Sequence, residues 1–180
     1  LTGVTKFGKV SVFSDLNNLQ DLSMDEEYQA LCGVTQDELE TIFAEPIKQL
    51  ATKYKLSVEE ALCRLKERYD GYHFVENGIG IYNPFSLLNT FKRLQFGSYW
   101  FETGTPTYLV ELLKQDNYRL PNLTKEVSTA DVLNCIDTAS NNPIPVLYQS
   151  GYLTIKSFDE EFGEYRLGFP NKEVEEGFTR

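Results

Sequence analysis

Apolar residues recur at Leu39, Ile42, Phe43, Ile47, Leu50, Ala51 and Tyr54, the spacing of one helix face. Thr35 and Glu38 precede this stripe as a capping box: the hydroxyl accepts from the third amide and the carboxylate reaches back. Pro46 lies inside the stripe and predicts a kink or a division, because proline lacks the amide donor and crowds the preceding turn. Ser57 and Glu60 form a second box, ahead of a stripe at Val58, Ala61, Leu62, Leu65 and Tyr69. Both stripes predict core.

The period then changes. Residues 72–76 and 79–82 flank Asn77-Gly78 and predict a hairpin with a type I′ turn. Asn83-Pro84 predicts a helix start, with Phe85, Leu88, Phe91 and Leu94 as its buried side. Thr105-Pro106 repeats that device, for a helix through Leu113, and residues 121–127 read as loop and short strand. Asn141-Asn142-Pro143 opens a short helix ending near Gly151. Residues 152–158 and 164–169 alternate about a polar turn, a second hairpin, and Pro170-Asn171 caps a last helix at Lys172. The predicted fold is mainly α (α+β): a helical region with small hairpins, then a winged-helix-like C-terminal unit. The expected divisions are 1–15, 16–120 and 121–180.

Composition narrows the function. Seventeen basic residues against 27 acidic ones give a net charge of −10. A free-standing nucleic-acid binder needs a basic face, so nucleic acid is not an expected partner. Residues 21–45 hold eight carboxylates and no Lys or Arg, which reads as a solvated helical surface or as a docking face for a basic partner. Cys32, Cys63 and Cys135 are odd in number and dispersed, which predicts buried free thiols in a reducing compartment. His73 is the single histidine, leaving too few ligands for a zinc site; no metal site is expected. No apolar run approaches a membrane span, and a cytoplasmic protein without a membrane partner is expected. Leu1 in place of an initiator Met, and a helix just beginning at Arg180, read as a piece of a longer protein.

The chain lacks a G-x-x-x-x-G-K-[ST] loop, a G-x-S-x-G elbow and a Glu-x-Lys pair on a strand. His73 sits between aromatics, which favours a packed or hydrogen-bonded ring over a catalytic base. What remains is the segment Leu1-Thr2-Gly3-Val4-Thr5-Lys6-Phe7. An apolar strand ending in small polar residues suits the carboxyl edge of a parallel sheet, where ligands bind. A hydroxyl there could orient the water that attacks a γ-phosphate, and Lys6 could offset negative charge. A plain strand-to-loop turn accounts for the same residues.

Seven stretches in series carry a resemblance: Leu1–Phe7, Val10–Leu22, Tyr69–Phe74, Tyr82–Leu88, Tyr99–Pro106, Tyr148–Ile155 and Leu167–Asn171. Together they resemble bacterial AAA-ATPase-like proteins of the Bacteroidetes type. In that family a P-loop and an acidic Walker B strand come first, and a PD-(D/E)XK nuclease-like domain often follows. The resemblance implies that this chain follows Walker B and lacks the P-loop. Thr2 then matches the polar sensor-one position, and Thr5 and Lys6 are its nucleotide-side neighbours. It implies ATP and Mg²⁺ in the parent and no cofactor in this chain alone. The implied partners are the N-terminal P-loop region and the nuclease-like domain, and the implied role is coupling nucleotide state to them. Two other readings stay open: a protein-interaction module without nucleotide coupling, and a DNA-contacting accessory of a nuclease.

Overall fold

The computed structural model describes residues 22–102, 127–134 and 142–179. Thr2, Thr5, Lys6, Cys135 and the helix expected at Thr105-Pro106 lie outside these residues. The described chain is helix-rich with one small antiparallel sheet, an α+β arrangement.

After a single 3-10 turn at Glu26–Tyr28 come α1 (Gln36–Ile42) and α2 (Ala44–Tyr54). The stripe is divided at Phe43, three residues before Pro46. Both capping boxes form: Thr35 Oγ1 accepts from Glu38 N at 3.2 Å while Glu38 Oε2 accepts from Thr35 N at 2.9 Å. Ser57 and Glu60 do the same ahead of α3 (Val58–Tyr69). Then α4 (Pro84–Arg93) starts on Asn83, whose side chain accepts from the Phe85 and Ser86 amides, and a short α5 follows at Tyr99–Glu102. These helices bury Leu39, Ile47, Leu50, Ala51, Ala61, Leu65, Tyr69, Tyr82 and Leu87 in one apolar core.

The rest builds a second core. Strand β1 (Val127–Ser128), helices α6 (Ala130–Asn134) and α7 (Ile144–Gln149), strands β2 (Thr154–Asp159) and β3 (Glu164–Gly168), and α8 (Lys172–Thr179) follow in order. The sheet order is β1-β3-β2, with Val127 opposite Arg166 and Ile155 opposite Leu167. A bulge between Ile155 and Ser157 leaves Lys156 without an opposite residue. Leu133, Ile144, Leu147, Tyr152, Leu153, Ile155, Leu167 and Val174 form this core, which shares no buried residue with the first.

Four expectations change. The hairpin at residues 72–82 is reduced to a single bridge, Tyr72 to Ile81. Asn77 has positive φ but Gly78 does not, so the turn is not type I′. The ladder stops because its groups bond elsewhere: His73 N donates to Thr154 Oγ1 at 2.7 Å, and Ile79 N donates to the Gln29 side chain. On α4 the buried face is Ser86, Leu87 and Thr90, while Phe85 and Leu88 are 44% and 54% exposed. The helix is rotated so that two hydroxyls meet buried partners. Ile42, expected in the first stripe, is exposed beside the break in the helix. Cys32 and Cys63 are exposed free thiols rather than buried ones.

Candidate functional site

The seam between the two cores is polar, and it begins at α8. Asn171 caps this helix through its side-chain oxygen, which accepts from Val174 N at 3.2 Å. Val174 then enters the sheet core, while its neighbour Glu173 turns the other way and is fully buried. Ser86 Oγ lies 2.9 Å and 2.7 Å from the two Glu173 oxygens, so one hydroxyl proton is shared between them. Glu173 Oε1 also accepts from Trp100 N at 2.9 Å. The carboxylate sits in the first turn of its own helix, where the dipole favours negative charge. One buried group thus ties α8 to α4 and to α5.

Other polar contacts extend the seam. Thr154 Oγ1 accepts from His73 N and donates to His73 O at 3.0 Å, so one hydroxyl of β2 closes both backbone groups of a residue in the helical half. Glu176, one turn beyond Glu173, holds Arg68 of α3 at 3.1 Å. Burial opposes the Arg68 charge, but Glu176 and then Tyr69 outweigh it and hold the guanidinium above its ordinary value. Lys172 and Glu67 pair at 3.0 Å on the exposed rim, where such a pair contributes little. Trp100 and Tyr152 rings meet at 5.0 Å over the same seam.

Backbone approach is close here. At Gly71 φ is +101°, and a Cβ would lie 2.2 Å from the Pro170 carbonyl oxygen. Gly80 faces Asp70, whose carboxylate oxygen would be 2.8 Å from a Cβ there. Four buried side-chain polar atoms close no hydrogen bond among the described residues: Arg68 Nε, Asp70 Oδ1, Tyr72 OH and Asn171 Nδ2. All belong to the segments that face each other across the seam. Burial pushes the Tyr72 phenol far up, so it stays protonated at neutral pH.

Of the residues singled out from sequence, His73 is held by backbone: its Nδ1 lies 3.0 Å from Gly78 O, which assigns the proton to Nδ1. Trp100 is half-buried against the sheet core. The carboxylates of residues 25–45 are mostly exposed. Among the described residues no group of three His, Cys, Asp or Glu could hold a metal. Among them, too, no helix is long and apolar enough to cross a membrane. The short helix that a DNA-reading unit would insert, α7, buries Ile144, Pro145 and Leu147 and carries no charge. Sequence reasoning missed Glu173 and Ser86. Glu173 looked like one more first-turn acid, and Ser86 stood between the apolar residues expected to be core. An acid directly beside an apolar residue that must face the opposite core was the available signal.

What this arrangement does chemically is hold. Ser86, Thr154, Glu173 and Glu176 are engaged with one another's segments and with backbone. The chain is 39% identical over 176 residues, 97% of its length, to the "uncharacterized protein in vnfD 5′ region" of Azotobacter chroococcum mcd 1. It spans 32% of that protein, about a third of its length. No family model matches the chain. No solved structure matches it.

Proposed function

We propose that this chain is the post-Walker B portion of an AAA-ATPase-like protein and passes nucleotide-dependent displacement to a nuclease-like domain or another partner. The observation that carries the reading is the buried Glu173 carboxylate, which joins α4, the Trp100 backbone and α8. Ser86 and Trp100 lie in stretches that carry the resemblance, and Glu173 follows another by two residues. His73, Thr154, Gly71 and Pro170, also on the seam, lie in such stretches too. Residues that serve to join two bodies fit a transmitting segment better than a catalytic one. In this reading the helical half is lid-like and the sheet half is the winged-helix-like unit. Thr2 is sensor one, with Thr5 and Lys6 beside the nucleotide, and ATP and Mg²⁺ are held by the P-loop region of a cytoplasmic parent. Finding the chain matched to only part of a longer relative accommodates such a parent.

The chain alone is expected neither to bind nor to hydrolyse ATP. Triphosphate affinity comes from backbone amides around the phosphates, a Lys and a held Mg²⁺. One hydroxyl at Thr2 contributes about 1 kcal/mol, whereas micromolar binding needs about 8 kcal/mol. Calorimetry on the chain tests this, and a micromolar Kd would contradict it. In the full-length protein Thr2→Ala slows turnover more than it weakens ATP binding; unchanged turnover, or a coding sequence without a P-loop upstream of Leu1, would overturn the ATPase reading.

A further inference from the structure

We propose that Glu173 is a latch between two separately cooperative units, and that losing its bonds to Ser86 and to the Trp100 amide lets the sheet unit part from the helical unit while each keeps its own core. This goes beyond the nucleotide-coupling reading and holds whatever the longer protein does.

The two apolar cores share no fully buried residue, and of the helical half Met24 and Trp100 pack against the sheet core. Besides the Trp100 and Tyr152 ring contact, what crosses between them is a set of polar bonds: Glu173 with Ser86 and Trp100, Thr154 with His73, Glu176 with Arg68. Directional bonds of this kind are made or lost at short range, unlike a graded apolar contact. Glu173 is the fully buried carboxyl of the set, and it reaches two separate elements of the helical unit. Removing this acceptor takes a bond from the Trp100 amide and from the buried Ser86 hydroxyl at once, and buried donors are costly to leave without their acceptor. Glu173 is therefore a positioning residue, acting through the Trp100 segment and α4.

Trp100 is the chain's single tryptophan and lies at the latch, so the test has a built-in reporter. Amide exchange and Trp emission are measured on the unmodified protein and on Glu173→Ala. The expected result is a red-shifted Trp100 emission and a Trp100 amide exchanging about ten- to a hundredfold faster, the factor for taking the acceptor from a part-buried donor. The amides of Leu50 and Leu65 in one core, and of Ile155 and Leu167 in the other, stay within about threefold of their original rates, an additivity-sized change. Should Glu173→Ala not fold, Glu173→Met keeps the length of the side chain, removes the same bonds and is read in the same way. Equal acceleration at all five amides would show one cooperative body and overturn the proposal. So would a Trp100 amide whose rate does not change.

Discussion

The helical unit and the sheet unit are closed by different means. In the helical unit the buried tyrosine of α3 is satisfied within the unit. The buried Tyr69 hydroxyl donates to Gly97 O at 2.9 Å and accepts from Thr90 Oγ1 and Gly97 N. Burial raises the Tyr69 pKa, with the Thr90 and Gly97 bonds opposing it. Of its helices α1, α3 and α4 carry side-chain caps of their own, and α2 and α3 run 11 and 12 residues, about three turns each. The sheet unit has a two-residue β1 and a six-residue α7, and closes β2 and α8 partly against groups of the other unit. A unit whose local signals agree folds on its own instructions; a unit that borrows partners is placed by them. The seam is thus both the sheet unit's support and the point at which its position can be set.

The largest effects are expected inside either core. Leu65→Ala, at a fully buried site of α3, is expected to cost about 2–5 kcal/mol. Leu167→Ala should cost about the same in the sheet core. Denaturant unfolding followed by exchange at both cores checks this, and the account expects each variant to lower its own core more than the other. A smaller effect is expected for Tyr69→Phe, which strips partners from Thr90 and Gly97 at about 1–3 kcal/mol. This loss should register in the helical unit, whereas Thr154→Val should register at the seam and in β2. Ser57→Ala removes one capping box and should cost the helical unit about 0.5–2 kcal/mol by the same unfolding measurement.

Two small changes sharpen the contrast. Lys55 ends α2 at φ 55°, in the left-handed region. Lys55→Gly relieves that strain, with a gain below about 1 kcal/mol once glycine's extra chain entropy is subtracted. Glu38 offers a pH test. Its backbone bond from Thr35, and then the Thr35 hydroxyl, hold its pKa below 4.5. The folded value is thus below the unfolded one, so this stabilisation is present above pH 4.5 and is lost as pH falls through the folded value. Thr35→Ala should flatten that acid-side slope slightly, as read from acid titration followed by circular dichroism.

How much of this was legible follows the same division. Both capping boxes, the break near Pro46, the Asn83-Pro84 start, the second hairpin and the Asn171 cap were readable, because each signal lies within four or five residues of its partner. The seam was not. Ser86 meets Glu173 across 87 residues and His73 meets Thr154 across 81, distances over which periodicity says nothing. The face of α4 was misjudged for that reason: its apolar residues suggested one rotation, and distant hydroxyl partners fixed another. The first hairpin was misjudged because Gln29 and Thr154 take groups its ladder would have used. Thr2, Thr5 and Lys6 rest on the resemblance and lie outside the described residues.

A seam of polar bonds with one aromatic contact, rather than a shared buried core, joins the two units. Native-state amide exchange of the unmodified protein across a urea series tests it most directly, because urea dependence reports the surface exposed in each opening. The account predicts two families of isotherms, Leu39, Leu50 and Leu65 merging in one and Leu147, Ile155 and Leu167 in the other, with the Trp100 amide opening at lower free energy than either. A single isotherm shared by all seven amides would contradict it.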